Sequence, residues 1–252
     1  MPDKNDWTRE ELEEQVSSMT AVTIPVHMRI ERAQRIFDLS EMKTILKNAK
    51  LISIGECYCR KNRKKCDGPL DVCFSLDKAA KIRIVGEDTD LTFNAKGRKW
   101  INGDGLKNMP DGEVFTTPLE NSVNGKIRFT FSGIHMGREV EDISLAFKNG
   151  KIAKASAAKG EDLLKEIVKI KGADRIGEAA IGTNYGINRF TKNMLFDEKM
   201  GGTIHMALGM AYRETGGKNH SAIHWDILKD MKKNAEIYAD NELFYKNGKF
   251  LE

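Results

Sequence analysis

The sequence predicts an α+β protein: a mainly antiparallel sheet domain over residues 79–252, preceded by a small helical, cysteine-rich segment over residues 1–78. Three observations predict it. From Lys81 onward the chain runs in short alternating stretches broken by glycine, KIRIVG, DLTFNA, IRFTF and ISLAF, which is the period-2 pattern of half-buried strands. Asn149-Gly150 and Asn247-Gly248 each sit between apolar runs, the strongest short-range signal for a hairpin. All four cysteines, Cys57, Cys59, Cys66 and Cys73, crowd into ECYCRKNRKKCDGPLDVC.

In chain order, Thr8 and Glu11 form a capping-box pattern that opens a short acidic helix, TREELEEQV. An extended segment follows around Val22 to Arg29, and Ser40 can cap a second helix whose Met42, Ile45, Leu46 and Ala49 recur at helical spacing. The cysteine loop comes next. Its thiols are flanked by Arg60, Lys61, Arg63, Lys64 and Lys65, cations that favour thiolate over thiol. Clustered thiolates point to an iron–sulfur cluster or structural zinc, with a metal-free loop as the bland alternative. The join to the sheet domain falls near residues 77–82. Within that domain EDLLKEIVKI is a helix with Leu163, Leu164, Ile167 and Val168 on one side.

Composition excludes several classes. With 252 residues, 40% of them apolar and 31% charged, the chain is an ordinary folded protein rather than a disordered one. A net charge of +4 is too small to imply nucleic acid. No apolar run approaches the roughly 18–20 residues that span a bilayer. The opening MPDKNDWTREELEEQ lacks the apolar core of a signal peptide. A cytoplasmic protein with neither nucleic-acid nor membrane partners is the expectation.

The richest chemistry lies between Leu195 and Asp226. In SAIHWDIL, His224 and Asp226 are two apart, so a strand projects both from one face while Ile223, Trp225 and Ile227 take the other. His205 and Tyr212 are seven apart, two turns of a helix and again one face. Imidazole and carboxylate together suit Zn²⁺, Co²⁺ or Mn²⁺. A packed core histidine is the competing reading for His205.

From about Lys81 to Glu252 the chain resembles the catalytic half of the thermophilic metalloprotease family, the aminopeptidase T and S type. The blocks that carry the resemblance are TDLTFNAKGRKWINGDG, NMPDGEVFTTPLENSVNGKIRF, GADRIGEAAIGTN, LFDEKMGGTIHMALGMAY and TGGKNHSAIHWD, in the family's order. The resemblance implies two divalent ions (Zn, Co or Mn) held by Glu113, Glu178, His205, Tyr212, His224 and Asp226, and removal of N-terminal residues from a peptide substrate by a metal-activated water. Taken alone, Glu113 reads as a turn residue after Pro110-Asp111-Gly112, and Glu178 as an exposed loop glutamate. A proton carrier is also required. Glu198 in FDEK is the candidate, assisted by Tyr212; a plain ion pair with Lys199 or Lys218 is the alternative. A homodimer is left open.

Residues 22–77 resemble a different module, the CxCR-type 4Fe–4S ferredoxin-like segment, on Cys57, Cys59, Arg60, Cys66, Pro69 and Cys73. That resemblance implies one 4Fe–4S cluster and departs from the metalloprotease family's own N-terminal domain. Two other functions therefore stand beside a metallo-aminopeptidase. One is an iron–sulfur electron-transfer protein in which the peptidase half is an inactive scaffold. The other is a metal-binding module without hydrolysis.

Overall fold

Alternation of the KIRIVG kind buries every second side chain: Ile82 and Ile84 point inward while Lys81 and Arg83 face solvent. A computed structural model describes residues 76–251, apart from 77, 104–107, 109 and 110. The two N-terminal helices, the extended segment and all four cysteines of the predicted iron–sulfur module lie outside the described residues.

The larger sheet has eight strands, in the order β15-β14-β13-β1-β2-β5-β8-β9. They are β1 (Lys81–Gly86), β2 (Thr89–Asn94), β5 (Asn124–Arg128), β8 (Ser144–Lys148), β9 (Lys151–Ser156), β13 (Glu236–Ala239), β14 (Glu242–Lys246) and β15 (Lys249–Phe250). A second sheet of five strands runs β12-β11-β10-β4-β3. These are β3 (Ile101–Gly103), β4 (Glu113–Thr116), β10 (Ile176–Gly182), β11 (Thr203–Gly209) and β12 (His224–Asp230). A small hairpin, β6 (Gly133–His135) and β7 (Arg138–Val140), completes the set. The strand pairs in both main sheets are antiparallel. Among the described residues, from Lys81 onward, the α-helices are α1 (Glu161–Lys169), which buries Leu163, Leu164 and Ile167, and the single turn α2 (Met194–Asp197).

The two sheets share one core. Ile82, Ile84, Leu91, Phe93 and Ile237 from the eight-stranded sheet pack in the same cluster as Val114, Ala179, Ile181, Ile204, Met206, Leu208, Trp225 and Ile227 from the five-stranded sheet. Because side chains alternate along a strand, Glu113, Glu178, His205 and Asp226 occupy the other face of the five-stranded sheet. That face is covered too. The segment between β10 and β11 has its own apolar cluster, Ile187, Phe196 and Met200, and it carries Glu198 and Lys199 over the sheet. Both faces of β10 and β11 are therefore buried, so their sequences read as continuous apolar runs rather than as alternation.

This double burial explains one correction. TIHMALG is strand β11, not a helix, so His205 and Tyr212 do not share a helical face. Tyr212 lies beyond the strand end, just before a short 3₁₀ turn over Arg213–Thr215. The β12 expectation holds: Trp225 and Ile227 enter the core, and His224 and Asp226 leave it.

Both Asn-Gly hairpins form. Asn149 and Gly150 connect β8 to β9 with φ of 52° and 80°, the positive pair that a two-residue primed turn needs. A methyl group on Gly150 would meet the Glu120 carbonyl oxygen at 1.8 Å. Gly150→Ala is therefore expected to cost about 2 kcal/mol or more from left-handed strain plus the clash, read as a lowered urea midpoint with an unchanged slope.

Candidate metal centre

Four strands of the five-stranded sheet contribute polar groups to the buried face. β4 gives Glu113, β10 gives Glu178, β11 gives His205, and β12 gives His224 and Asp226. Cross-strand register brings them together: Glu113 is opposite Gly182, His205 opposite Ala180, Asp226 opposite Ala207, and Ala207 opposite Glu178. Glu178 reaches this face through a β-bulge. Ile176 pairs with Leu208 and enters the core, yet Glu178 pairs with the adjacent Ala207. The extra residue, Gly177, reverses the parity of the strand. Only a glycine fits, since a Cβ there would stand 2.3 Å from the Met210 carbonyl oxygen and 2.5 Å from that of Gly209.

The resulting cluster is dry and tight. His205 is 1% exposed, Glu178 3% and Glu113 5%. His205 Nε2 lies 3.2 Å from Glu113 Oε2 and 3.6 Å from Glu178 Oε1. His224 Nε2 lies 3.0 Å from Glu178 Oε2 and 3.5 Å from Asp226 Oδ1. Glu178 thus sits between the two imidazoles, one oxygen toward each. Three groups could each surround a cation: Glu113, Glu178 and His205; Glu178, His224 and Asp226; Glu198, His205 and Asp226, with the ligand atoms of each group within 4.8 Å of one another.

Hydrogen bonding shows what such a cluster lacks. Glu113 Oε2, both ring nitrogens of His205, and Asp226 Oδ1 are buried without a hydrogen-bond partner. Each such atom costs about 1–3 kcal/mol if nothing satisfies it, and native proteins keep few of them. Ligand-type atoms facing one another across a dry pocket fit a cation better than they fit each other. Nitrogen and carboxylate oxygen donors together match Zn²⁺, Co²⁺ or Mn²⁺. His224 is already oriented for that role. Its Nδ1 donates to the Met210 carbonyl at 2.7 Å, which leaves Nε2 to face Glu178 and Asp226.

The electrostatics agree. Burial would raise the Glu178 carboxyl, but the adjacent imidazoles of His205 and His224 override it and hold it at about 2. Burial opposes the charged form of His224, but Asp226 and Glu178 raise it to about 11. His205, against the pull of burial, is likewise raised well above the ordinary imidazole value by Glu113 and Glu178. Glu198 is pushed up to about 8 by burial and by the charge of Asp226, against the opposing Lys199.

Glu198 follows α2 and is 8% exposed. It meets Lys199 at 2.6 Å, so the ion-pair alternative is real, and it also lies in the third cation-sized group. Lys218 takes no part in that pair; its backbone N–H bonds Glu120. Tyr212 stands at the rim, 41% exposed, with its ring 5.0 Å from His224 and 5.4 Å from Phe115. Burial and the surrounding carboxylates raise its phenol. The two glutamates corrected the residue-level reading most. Glu113 and Glu178 are not surface turn and loop residues but buried strand residues. A lone charge inside an apolar run such as IGEAAIG is the signal that could have found Glu178. Residue reasoning named Lys199 only as a partner for Glu198; it missed the contact of Lys199 with Glu113, the place of Asp111, and the Gly177 bulge, none of which has a local signature.

An antiparallel sandwich with a buried cluster of two histidines and several carboxylates is the class of domain that could hold a metal. This chain belongs to the thermophilic metalloprotease (M29) family, whose profile matches residues 71–250. Among curated relatives it is 33% identical over 202 residues to aminopeptidase AmpS of Bacillus subtilis, which covers 67% of this chain and 48% of that one. It is 31% identical over 175 residues to aminopeptidase T of Thermus aquaticus, covering 58% and 42%. The chain thus spans about half the length of these relatives or less. Among solved structures, AmpT from Thermus thermophilus superposes with a TM-score of 0.64 at 25% identity, over 73% of this chain and 53% of that one. A 2,5-dihydroxypyridine dioxygenase from Pseudomonas putida has the same fold, with a TM-score of 0.62 at 18% identity over 72% and 58%.

Proposed function

We propose that this protein is a metal-dependent aminopeptidase that removes N-terminal residues from peptides, with two divalent ions in the pocket. One observation carries the reading: Glu178 lies between His205 and His224, an oxygen toward each, beside buried ligand atoms that lack partners. Family membership and relatives named as aminopeptidases support the same class. Charge supports divalent ions. Asp111, Glu113 and Glu198 face the ammonium of Lys199, and Glu178 and Asp226 belong to the adjoining cation-sized groups. The acids outnumber this one ammonium, an excess that divalent cations would offset with both imidazoles neutral.

Glu113, Glu178 and His205 would hold one ion, and Glu178, His224 and Asp226 the other. Bound there, such ions supply an activated water and polarise a carbonyl. The chain's own residues do the rest. Glu178 fixes the spacing of the two groups. His224, locked by the Met210 carbonyl, keeps its ring aligned. Glu198, buried within the cluster, is placed to carry a proton toward a leaving amine. The excess of carboxylates suits a substrate's free α-amino group. Tyr212, half exposed at the rim, borders the side from which a peptide enters.

The test is hydrolysis of leucine p-nitroanilide by the full chain. Turnover is expected after loading with Co²⁺ or Zn²⁺, to be lost with a chelator and to return on adding the ion back. Folded, metal-loaded protein with no turnover on any aminoacyl anilide contradicts the reading.

A further inference from the structure

Lys199 is a buried charge that the proposed reaction does not use. It is 1% exposed, deeper than most of the acids around it. Its Nζ donates to Glu113 Oε1 and, at 2.6 Å, to Glu198 Oε1, with Asp111 Oδ1 at 4.0 Å. The geometry is selective. Glu113 gives one oxygen to Lys199 and turns the other, Oε2, to His205. A flexible surface lysine would lose rotamer freedom and hydration here with nothing in return unless the pocket needed a permanent cation.

We infer that Lys199 is the built-in counter-ion of the pocket: a positioning residue that ties off one oxygen of Glu113 and one of Glu198, and keeps the carboxylate cluster folded before any metal arrives. This rests on the metal reading above. Among the described residues it is the only lysine or arginine paired with the cluster, so it offsets carboxylate charge there whether or not a metal is bound. Once divalent ions are bound, the same ammonium sits beside them and repels them. It therefore stabilises the metal-free state more than the loaded one. Its removal should make folding lean more heavily on metal, by mass action.

Thermal unfolding of the full chain, with and without Co²⁺, tests this in wild type, in Lys199→Met, and in Lys199→Met combined with Glu198→Gln. Methionine keeps the apolar stem and deletes the charge. The single variant is expected to unfold at lower temperature without metal, and its Co²⁺-induced rise in Tm to exceed that of wild type by roughly 5 °C or more. The double variant restores the charge balance and is expected to recover at least half of the metal-free loss. A role in packing alone would lower Tm equally with and without Co²⁺ and would gain nothing from Glu198→Gln; either result overturns the inference. If the single variant does not fold under any condition, the double decides: a folded double supports the counter-ion role, and an unfolded one rejects it. A wild type whose Tm ignores Co²⁺ would sink the metal reading itself, a separate outcome.

Discussion

Glu178→Ala is expected to abolish tight metal binding and, with it, peptidase turnover. The carboxylate contacts both imidazoles from the centre of a dry pocket, so one substitution removes a ligand from two of the three cation-sized groups. Breaking a buried charge pair from one side costs about 3–5 kcal/mol. Expressed as affinity or rate, that is roughly two to four powers of ten. Glu178→Gln, which keeps the size and loses the charge, should fall nearly as far. Co²⁺ titration followed by absorbance, together with leucine p-nitroanilide turnover, checks both. A folded Glu178→Ala protein with unchanged Co²⁺ affinity would remove Glu178 from the site.

The second large effect is expected at a residue with no functional group. Gly177→Ala places a methyl carbon against the carbonyl oxygens of Met210 and Gly209. Both are backbone atoms, so the strands must part or the bulge must shift. Overpacking of this kind costs about 1–3 kcal/mol. The consequence for function is sharper than that figure. The bulge aims Glu178, and the Met210 carbonyl orients His224. Thr117 adds a third tie, donating its hydroxyl to the Gly177 carbonyl at 2.7 Å. Disturbing partners that orient ligands commonly loses about 10–100-fold in metal affinity. Gly177→Ala should therefore lower the urea midpoint and weaken Co²⁺ binding together. A lowered midpoint with Co²⁺ affinity intact would show that the bulge serves only the fold.

The eight-stranded sheet was the legible part. KIRIVG, DLTFNA and ISLAF keep one face in the core and one in water, so period 2 survives in the sequence. The Asn-Gly turns and the apolar side of EDLLKEIVKI are local signals and were read correctly. The five-stranded sheet was harder. IGEAAIG and TIHMALG are buried on both faces, which erases alternation and let His205 pass for a helical residue. At the site, His224 and Asp226 were visible because β12 separates its polar and apolar faces. Glu113 and Glu178 were named through the family's sequence blocks, since single-residue reasoning expects glutamate at the surface. Lys199 pairs with a glutamate 86 positions away, a contact that no window along the chain can contain. The Gly177 bulge is of the same kind: one glycine among several until the register of two strands is known.

Anomalous X-ray scattering from crystals loaded with Co²⁺ or Zn²⁺ tests the central claim most directly. The account predicts two peaks roughly 3.5–4 Å apart, one beside Glu113 and His205, the other beside His224 and Asp226, with Glu178 between them. A loaded crystal with no peak among these residues, and metal found only elsewhere on the chain, would contradict it.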